Sequence, residues 1–208
     1  MSMAKLLLST KNPAKVREYA LLLEGIPYEI VTLAERGIEQ VVDETEATLE
    51  ENAALKAKAY ASLSNLLTLA DDSGLEVAAL GGAPGALSRR YAGEGVSDPE
   101  RIDFLLAKLS GIPWEERNAR FKCVIAIASA EGEVALCQGE CQGIIAFEPK
   151  GENGFGYDPI FYLPELGKTM AELSIEEKNE VSHRGRAARE ARRYFELFEK
   201  FREFEKTA

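Results

Sequence analysis

The sequence predicts a mixed α/β fold. Short apolar runs typical of buried strands alternate with stretches in which apolar residues recur at helical spacing. The first three elements run strand, helix, strand, an order that favours a parallel, right-handed unit. Further along, residues 119–130 and 133–146 predict two long strands joined by a tight turn at Glu131-Gly132. For a chain of 208 residues we expect one domain over residues 1–208, built of two lobes.

The N-terminal part of the chain contains three predicted strands and two predicted helices. Residues 5–9 form a short apolar strand, after which Asn12 caps a helix and Pro13 takes its first position. That helix ends at Gly25. A second, longer helix starts at Thr48 and continues to about residue 63. The remaining strands are predicted at residues 28–33 and 66–70.

The C-terminal part of the chain adds helices, a loop and a short strand. A helix is predicted over residues 99–109, a loop over 150–159 and a strand over 160–162. A final helix begins near Ser182. Its apolar stripe consists of Ala187, Ala191, Tyr194, Phe198 and Phe201.

Composition and charge exclude several classes of protein. Lys and Arg total 25 against 35 Asp and Glu, so the net charge is −10. Because the chain has no basic run, we expect no nucleic-acid partner. Its apolar runs fall short of the ~20 residues of a membrane span, and its first residues lack a signal-peptide layout. We therefore expect a cytoplasmic protein without a membrane partner.

The cysteines predict no metal or disulfide chemistry. Cys123, Cys137 and Cys141 are an odd set without a CxxC pair, and His183 is the single histidine. We expect reduced, buried thiols that pack as small core residues, and no zinc site.

Two acidic segments are candidate sites. Asp71-Asp72-Ser73-Gly74 follows a buried strand, and α/β sheets carry their sites at such strand ends. Adjacent carboxylates there point to opposite sides, so one of the two faces a given pocket. A second segment, Asp43-Glu44-Thr45-Glu46, precedes the long helix. Together the two segments suit Mg²⁺, which prefers hard oxygen ligands. The alternatives are a carboxylate that stabilises a turn and a solvated charge run.

Cations accompany these carboxylates. Thr10, Lys11, Asn12 and Lys15 lie at a strand-to-helix turn, where free N–H groups and the helix dipole favour phosphate. The turn does not match the GxxxxGK[ST] pattern. Lys56 lies among alanines in the long helix, where a solvated lysine is the alternative interpretation.

The loop from Gly154 to Pro159 places glycines around Phe155, whose ring suits stacking on a planar base. The alternative is a loop whose aromatic residues fill the core. Lys178, His183 and Arg184 gather near the predicted start of the last helix. That end is unfavourable for cations, so their position favours a functional role.

These segments occur in the order of one family. The matching motifs are Ser9-Thr10-Lys11-Asn12 with Lys15, Glu51-Asn52-Ala53 with Lys56-Ala57, Ala70-Asp71-Asp72-Ser73-Gly74-Leu75, Gly81-Gly82-Ala83-Pro84-Gly85, Gly154-Phe155-Gly156-Tyr157-Asp158-Pro159 and Ser182-His183-Arg184-Gly185. Over residues 4–198 the chain resembles the inosine triphosphate pyrophosphatase family, which removes ITP, dITP and XTP. The resemblance implies a homodimer. It also implies an elongated mixed β-sheet flanked by helices, with two lobes around a central cleft.

The resemblance implies a role for each matching residue. Asp72 is the catalytic carboxylate, a Mg²⁺ ligand and the general base, and Lys15 and Lys56 are catalytic cations. Asp43 or Glu44 is the second Mg²⁺ ligand. The implied substrate-binding residues are Thr10, Lys11, Asn12, Pro13, Ala14, Lys15, Ser73, Phe155, Gly156, Tyr157, Asp158, Lys178, His183 and Arg184. Lys11 replaces the family's usual Gly, and Leu87-Ser88-Arg89-Arg90 replaces a more aromatic segment.

The leading hypothesis is an Mg²⁺-dependent enzyme that hydrolyses noncanonical purine nucleoside triphosphates to the monophosphate and pyrophosphate. Donors directed at a 6-oxo group oppose the 6-amino group of adenine, which explains rejection of ATP. The alternatives are a pyrophosphatase for other nucleoside triphosphates and a nucleotide-binding regulator without turnover.

Overall fold

The computed structural model describes the backbone of residues 3–207 and the side chains of residues 3–197. The strands are β1 (Ala4–Leu8), β2 (Tyr28–Thr32), β3 (Leu67–Val77), β4 (Pro84–Gly85), β5 (Asn118–Ala128), β6 (Val134–Ile145), β7 (Phe161–Leu163) and β8 (Lys168–Thr169). The helices are α1 (Pro13–Leu22), α2 (Leu49–Ser64), α3 (Asp98–Lys108), α4 (Ile175–Val181) and α5 (His183–Thr207). The predicted α/β class is confirmed.

The strands form one mixed sheet in the order β2-β1-β3-β5-β6-β7-β8, and β4 pairs with β3. β1 is parallel to both of its neighbours, with Leu6 opposite Ile30 of β2 and Leu7 opposite Thr68 of β3. Such pairs need crossover connections, which α1 and α2 supply. β7 is antiparallel to β6 and to β8. The parallel pairing of β1 with β2 confirms the predicted strand–helix–strand unit.

The chain forms two compact units. The first contains the chain up to Asp72, Val124–Gln138 and the chain from Arg186, and the second contains Ser73–Cys123 and Gly139–Gly185. The three longest strands, β3, β5 and β6, contribute residues to both units.

Each unit has its own apolar core. In the first unit Leu7, Val31, Leu33 and Tyr60 pack together. In the second, α3 and the adjoining strands bury a larger cluster. Its members include Leu75, Val77, Leu105, Phe121, Tyr157, Phe161 and Met170.

Three predicted boundaries were wrong. α1 ends at Leu22, and Gly25 lies in the turn beyond it with a φ of 80°. β3 does not end at residue 70 but continues to Val77, because Leu75 and Val77 are fully buried and β4 pairs with this part of the strand. Five residues rather than two join β5 to β6, and the Ser129 amide donates to the Glu133 carbonyl across that loop.

The C-terminal region contains a helix that the sequence analysis missed. Ser174 caps α4, extended backbone at Ser182 ends it, and α5 starts at His183. Lys178 consequently lies in the last turn of α4, the favourable end for a cation, so the dipole argument was wrong for this residue. The predicted stripe residues Phe198 and Phe201 lie outside the described side chains. Within the described part of the chain, every helix is too short or too polar to cross a membrane.

We predict that the three thiols are unreactive in the folded protein. All three cysteines are buried and none forms a disulfide. Burial, with Glu190 nearby, raises the pKa of Cys137 to about 11, so its nucleophilic thiolate is scarce at pH 8. A chromogenic disulfide reagent should detect no fast thiol in the native protein and three after unfolding in urea. One fast native thiol would contradict the prediction.

Candidate active site

The ammonium group of Lys56 is the centre of a charged cluster in the first unit. Lys56 is buried on α2, and its Nζ donates to the Asp71 carbonyl at 2.6 Å and to Glu44 Oε1 at 2.7 Å. Asp72 Oδ1 lies 3.6 Å from the same Nζ. Lys56 is therefore not the solvated lysine of the alternative interpretation. It joins the two acidic segments that the sequence analysis identified.

Asn52 attaches the acidic segment to α2. Its side-chain oxygen accepts from the Glu46 amide at 3.0 Å, and its Nδ2 donates to the Glu46 carbonyl at 3.2 Å. Asn52 is nearly fully buried, so the side-chain end of this pair of bonds is shielded from water. One turn of helix separates Asn52 from Lys56. The segment that carries Glu44 is thus held beside the lysine that Glu44 contacts.

Asp71 forms an ion pair with Lys15. Asp71 Oδ2 lies 2.8 Å from Lys15 Nζ, and the Asp71 side chain is only 1% exposed. The sequence analysis treated Asp71 as a turn residue or as the carboxylate that faces away. Instead, its side chain holds Lys15 of α1 while its carbonyl holds Lys56 of α2. The signal in the sequence was the adjacent carboxylate pair, but its lysine partner was not predictable.

Asp72 is a buried carboxylate with an unusual pKa. The pKa of Asp72 is raised to about 6, chiefly by burial and also by Glu44 and Asp71, against the lowering effect of Lys56 and Lys15. Burial alone would lower the pKa of Lys56, but attraction to Asp72, Asp71 and Glu44 raises it. Among the described residues, none offers a hydrogen bond to Asp72 Oδ2. Asp72 thus combines a basic carboxylate with an oxygen able to accept a proton or a ligand.

The donor set fits Mg²⁺ when tested on these contacts. Asp72 and Glu44 each place one carboxylate oxygen within 3.6 Å of the Lys56 ammonium group, and Asp72 Oδ2 is buried without a hydrogen bond from the described residues. Mg²⁺ in nucleotide sites uses one or two carboxylates, with waters and phosphates completing its shell. Asp43, the other predicted ligand, is exposed. The described residues include no group of three or more acidic, histidine or cysteine side chains arranged for a metal.

The predicted phosphate turn is internally hydrogen-bonded. Thr10 Oγ1 accepts from the Asn12 amide at 3.2 Å, and Asn12 Oδ1 caps α1 by accepting from the Ala14 amide at 2.9 Å. Pro13 is the first residue of α1, as predicted. Lys11 Nζ donates to the Glu39 carbonyl at 2.6 Å. Lys11 therefore ties this turn to the segment that precedes the acidic cluster.

A second cluster forms around Asp158 in the second unit. Asp158 Oδ2 accepts from the Phe155 amide at 2.9 Å and from Lys178 Nζ at 2.6 Å, and both charged side chains are 3% exposed. Gly154 has a φ of +76°, and a Cβ there would lie 2.1 Å from Asp158 Oδ2. Only glycine allows the loop to close this tightly. Asp158 thereby sets the loop conformation that presents Phe155.

Cations surround the Phe155 ring. Lys178 Nζ lies 4.8 Å and Arg184 Cζ 5.3 Å from the ring centroid. Arg184, which is 1% exposed, also donates to Ser73 Oγ at 3.1 Å. The structure therefore brings together Phe155, Lys178, Arg184 and Ser73, all predicted as substrate-binding residues. Ser73 follows Asp72 directly in β3.

Two residues outside the predicted set hold the same loop. The Gly156 amide donates to Asp98 Oδ2 at 2.6 Å, and the Tyr157 hydroxyl donates to the Ser88 carbonyl at 3.0 Å. Tyr157 is buried in the core of the second unit. Ser88 also accepts from the Leu75 amide through its hydroxyl at 2.8 Å. Asp98 and Ser88 were missed because their partners lie 58 and 69 residues away in the chain.

Comparisons with known proteins agree over almost the whole chain. The chain is 49% identical to the dITP/XTP pyrophosphatase of Desulforamulus reducens, across 90% of this chain and 93% of that protein. It is 45% identical to the dITP/XTP pyrophosphatase of Bacillus subtilis, across 93% and 98%. The structure of a HAM1 protein from Coxiella burnetii matches with a TM-score of 0.86 at 41% identity, covering 94% of this chain and all of that one.

The Staphylococcus aureus Ham1 protein matches with a TM-score of 0.82 at 42% identity, across 92% of this chain and 98% of that one. The family model that matches this chain, over residues 6–194, is that of the Ham1 family. Since this match and the relatives each span most of the sequence, the chain belongs to the Ham1 family.

Proposed function

We propose that this chain hydrolyses noncanonical purine nucleoside triphosphates such as ITP, dITP and XTP to the monophosphate and pyrophosphate. Relatives that share 45–49% of its residues are named dITP/XTP pyrophosphatases. The observation that carries the proposal is the buried cluster around Lys56, in which Asp72 keeps one oxygen without a hydrogen bond from the described residues. A protein that only bound nucleotides would not need to bury a carboxylate in that state.

Asp72 is proposed as the general base. Without a bound ion its pKa is about 6, so the carboxylate is mainly ionised at pH 7.5 and able to accept a proton. Oδ2 is the oxygen that takes the proton from the attacking water, because Oδ1 faces Lys56. Asp71 keeps Lys15 in place and does not take part in the proton transfer.

Lys15 and Lys56 supply positive charge for the triphosphate. Negative charge shifts onto the leaving pyrophosphate as the bond between the α and β phosphates breaks, and a preorganised ammonium group stabilises it without rearrangement. Asp72 and Glu44 would hold Mg²⁺. The ion would supply charge neutralisation at the phosphate oxygens. Lys56, which contacts both carboxylates, offsets the repulsion between them.

The cluster in the second unit is proposed to select the base. Phe155 offers an aromatic face, and Lys178, His183 and Arg184 offer donors suited to the 6-oxo group of hypoxanthine or xanthine. Adenine presents a donor at that position, so these residues would face a donor and lose their hydrogen bonds. This mismatch accounts for discrimination against ATP.

The proposal includes Mg²⁺ as cofactor, a homodimer and a cytoplasmic location. Mg²⁺ and the homodimer are supported by the resemblance of the motifs to the inosine triphosphate pyrophosphatase family, and the location is the one expected in the sequence analysis. Size-exclusion chromatography with light scattering tests the dimer, since it should report twice the mass of one chain.

A substrate panel tests the proposed activity. ITP, dITP, XTP, GTP, ATP and dTTP are incubated with Mg²⁺, and the products are separated by chromatography. We expect monophosphate and pyrophosphate from ITP, dITP and XTP, with ATP and dTTP largely unchanged. Preference for ATP or dTTP would favour a pyrophosphatase of other specificity. Binding of ITP without cleavage would favour a regulator.

Asp72→Asn should abolish turnover and stabilise the fold. We expect kcat to fall by about 100-fold or more, because the general base is lost. The folded-state pKa of about 6 exceeds the ordinary 3.8, so ionisation of Asp72 costs stability that is present at low pH and lost as the pH rises through 6. In EDTA the variant should therefore gain on the order of 1–3 kcal/mol at pH 8.

Urea denaturation at several pH values measures this gain, which should shrink towards pH 4. An Asp72→Asn protein with near-wild-type turnover would contradict the assigned base. Equal stabilisation at pH 4 and pH 8 would contradict the burial argument.

Lys56 and Lys58 form a matched pair on the same helix. Lys56 is buried in the cluster, whereas Lys58 is exposed. Lys56→Met should reduce kcat by about 100-fold, and Lys58→Met should leave it within about twofold. Steady-state kinetics with ITP measures both. Similar losses in the two variants would show that Lys56 has no special role.

A further inference from the structure

The imidazole of His183 stacks on the ring of Phe121. The ring centroids are 4.6 Å apart and the planes differ by 17°. Both residues are buried in the second unit, His183 at the start of α5 and Phe121 in β5. We propose that Phe121 is a positioning residue that orients the imidazole of His183 and thereby sets the selectivity for 6-oxopurines. This inference rests on the proposed function.

The backbone at His183 is already constrained. The Ser182 amide donates to the Lys178 carbonyl at 2.9 Å, and the Gly185 amide donates to Ser182 Oγ at 3.1 Å. Gly185 lies so close to Asn179 that a Cβ would come within 1.8 Å of the Asn179 carbonyl oxygen. The entry into α5 therefore has little freedom, and the side-chain torsions of His183 determine where its ring nitrogens point.

The outer torsion of a histidine side chain is intrinsically soft. Rotation about χ2 has broad energy wells, unlike the staggered wells of aliphatic side chains. A hydrogen bond weakens steeply when its donor angle falls. A nearly parallel aromatic face restrains this rotation, since turning the imidazole out of plane would drive its edge into the Phe121 ring. Phe121 thus supplies a restraint that the backbone cannot supply.

Phe121 is itself held in position. Its ring packs against Phe161 of β7 with centroids 4.4 Å apart and planes 41° apart. Phe161 is fully buried. Phe161 thus supports the Phe121 ring, and Phe121 supports the imidazole of His183. Of these three side chains, only that of His183 is polar. A side chain of similar volume without a flat face would fill the core but would remove this restraint on the imidazole.

The test compares selectivity in matched variants. Phe121→Leu removes the flat face, Phe121→Tyr keeps it, and Phe161→Leu makes the same change one ring further away. The ratio of kcat/KM for ITP to that for ATP is measured for each, together with stability in urea. We expect Phe121→Leu to lower the ratio by about fivefold or more, Phe161→Leu to lower it by less because it acts only through Phe121, and Phe121→Tyr to keep it within about twofold. Phe121→Met replaces Phe121→Leu if the latter does not fold.

A double-mutant cycle distinguishes positioning from packing. In a His183→Ala background, Phe121→Leu should leave the ratio unchanged, because the residue through which it acts is gone. An unchanged ratio in Phe121→Leu itself, or an equal loss in the His183→Ala background, would overturn the inference.

Binding separates this inference from the proposed function. The dissociation constants of IMP and AMP are measured for wild type and Phe121→Leu, and we expect the preference for IMP to fall in the variant. A wild-type protein that prefers IMP but cleaves no triphosphate would contradict the proposed catalysis and leave the role of Phe121 to be decided by the binding ratio. A wild-type protein without a preference for IMP would overturn the inference.

Discussion

Burial of the Lys56 ammonium group is the constraint on which the first unit's charged cluster depends. A buried charge is costly unless it is paired and hydrogen-bonded. Lys56 meets this requirement with the Asp71 carbonyl and the carboxylates of Glu44 and Asp72. These partners come from two segments of the chain, so the lysine of α2 holds both segments beside it. Asp72 is consequently desolvated, which is the origin of its raised pKa.

The second unit also contains a buried charge that must be paired, but there the central charge is negative. The carboxylate of Asp158 is buried and accepts from Lys178 and from the Phe155 amide. In the first unit the buried cluster leaves Asp72 with a raised pKa. In the second it shapes a loop and leaves an aromatic ring beside two cations. The same electrostatic requirement thus produces a carboxylate with a raised pKa in one unit and an aromatic ring flanked by cations in the other.

β3 links these two arrangements covalently. Asp72 belongs to the first unit and Ser73 to the second, although they are consecutive residues of one strand. A single peptide bond in β3 separates the proposed base from a residue that Arg184 contacts. Because successive side chains of a strand point to opposite faces, the two side chains point to opposite sides of β3. The continuation of β3 beyond residue 70 is what makes this junction part of a regular strand.

The sequence by itself determined the α/β class, the parallel first unit of the sheet, most helix positions and the caps at Asn12 and Thr48. These features depend on local propensity and on the period of apolar residues, which neighbours in the chain encode. The order of the motifs also identified the family before any geometry was known. These motifs were identified by their residue types and by the fixed spacing between them.

Only the tertiary structure decided which groups meet. Asp71 with Lys15, Asp98 with Gly156 and Phe121 with His183 are pairs between distant segments, and no local pattern marks them. The end of β3 was likewise misplaced because pairing with β4 and burial in the second core override the turn-like composition of the segment. The perturbed carboxylate has the same origin: burial and neighbouring charge exist only after folding, so they could not be deduced from the sequence alone.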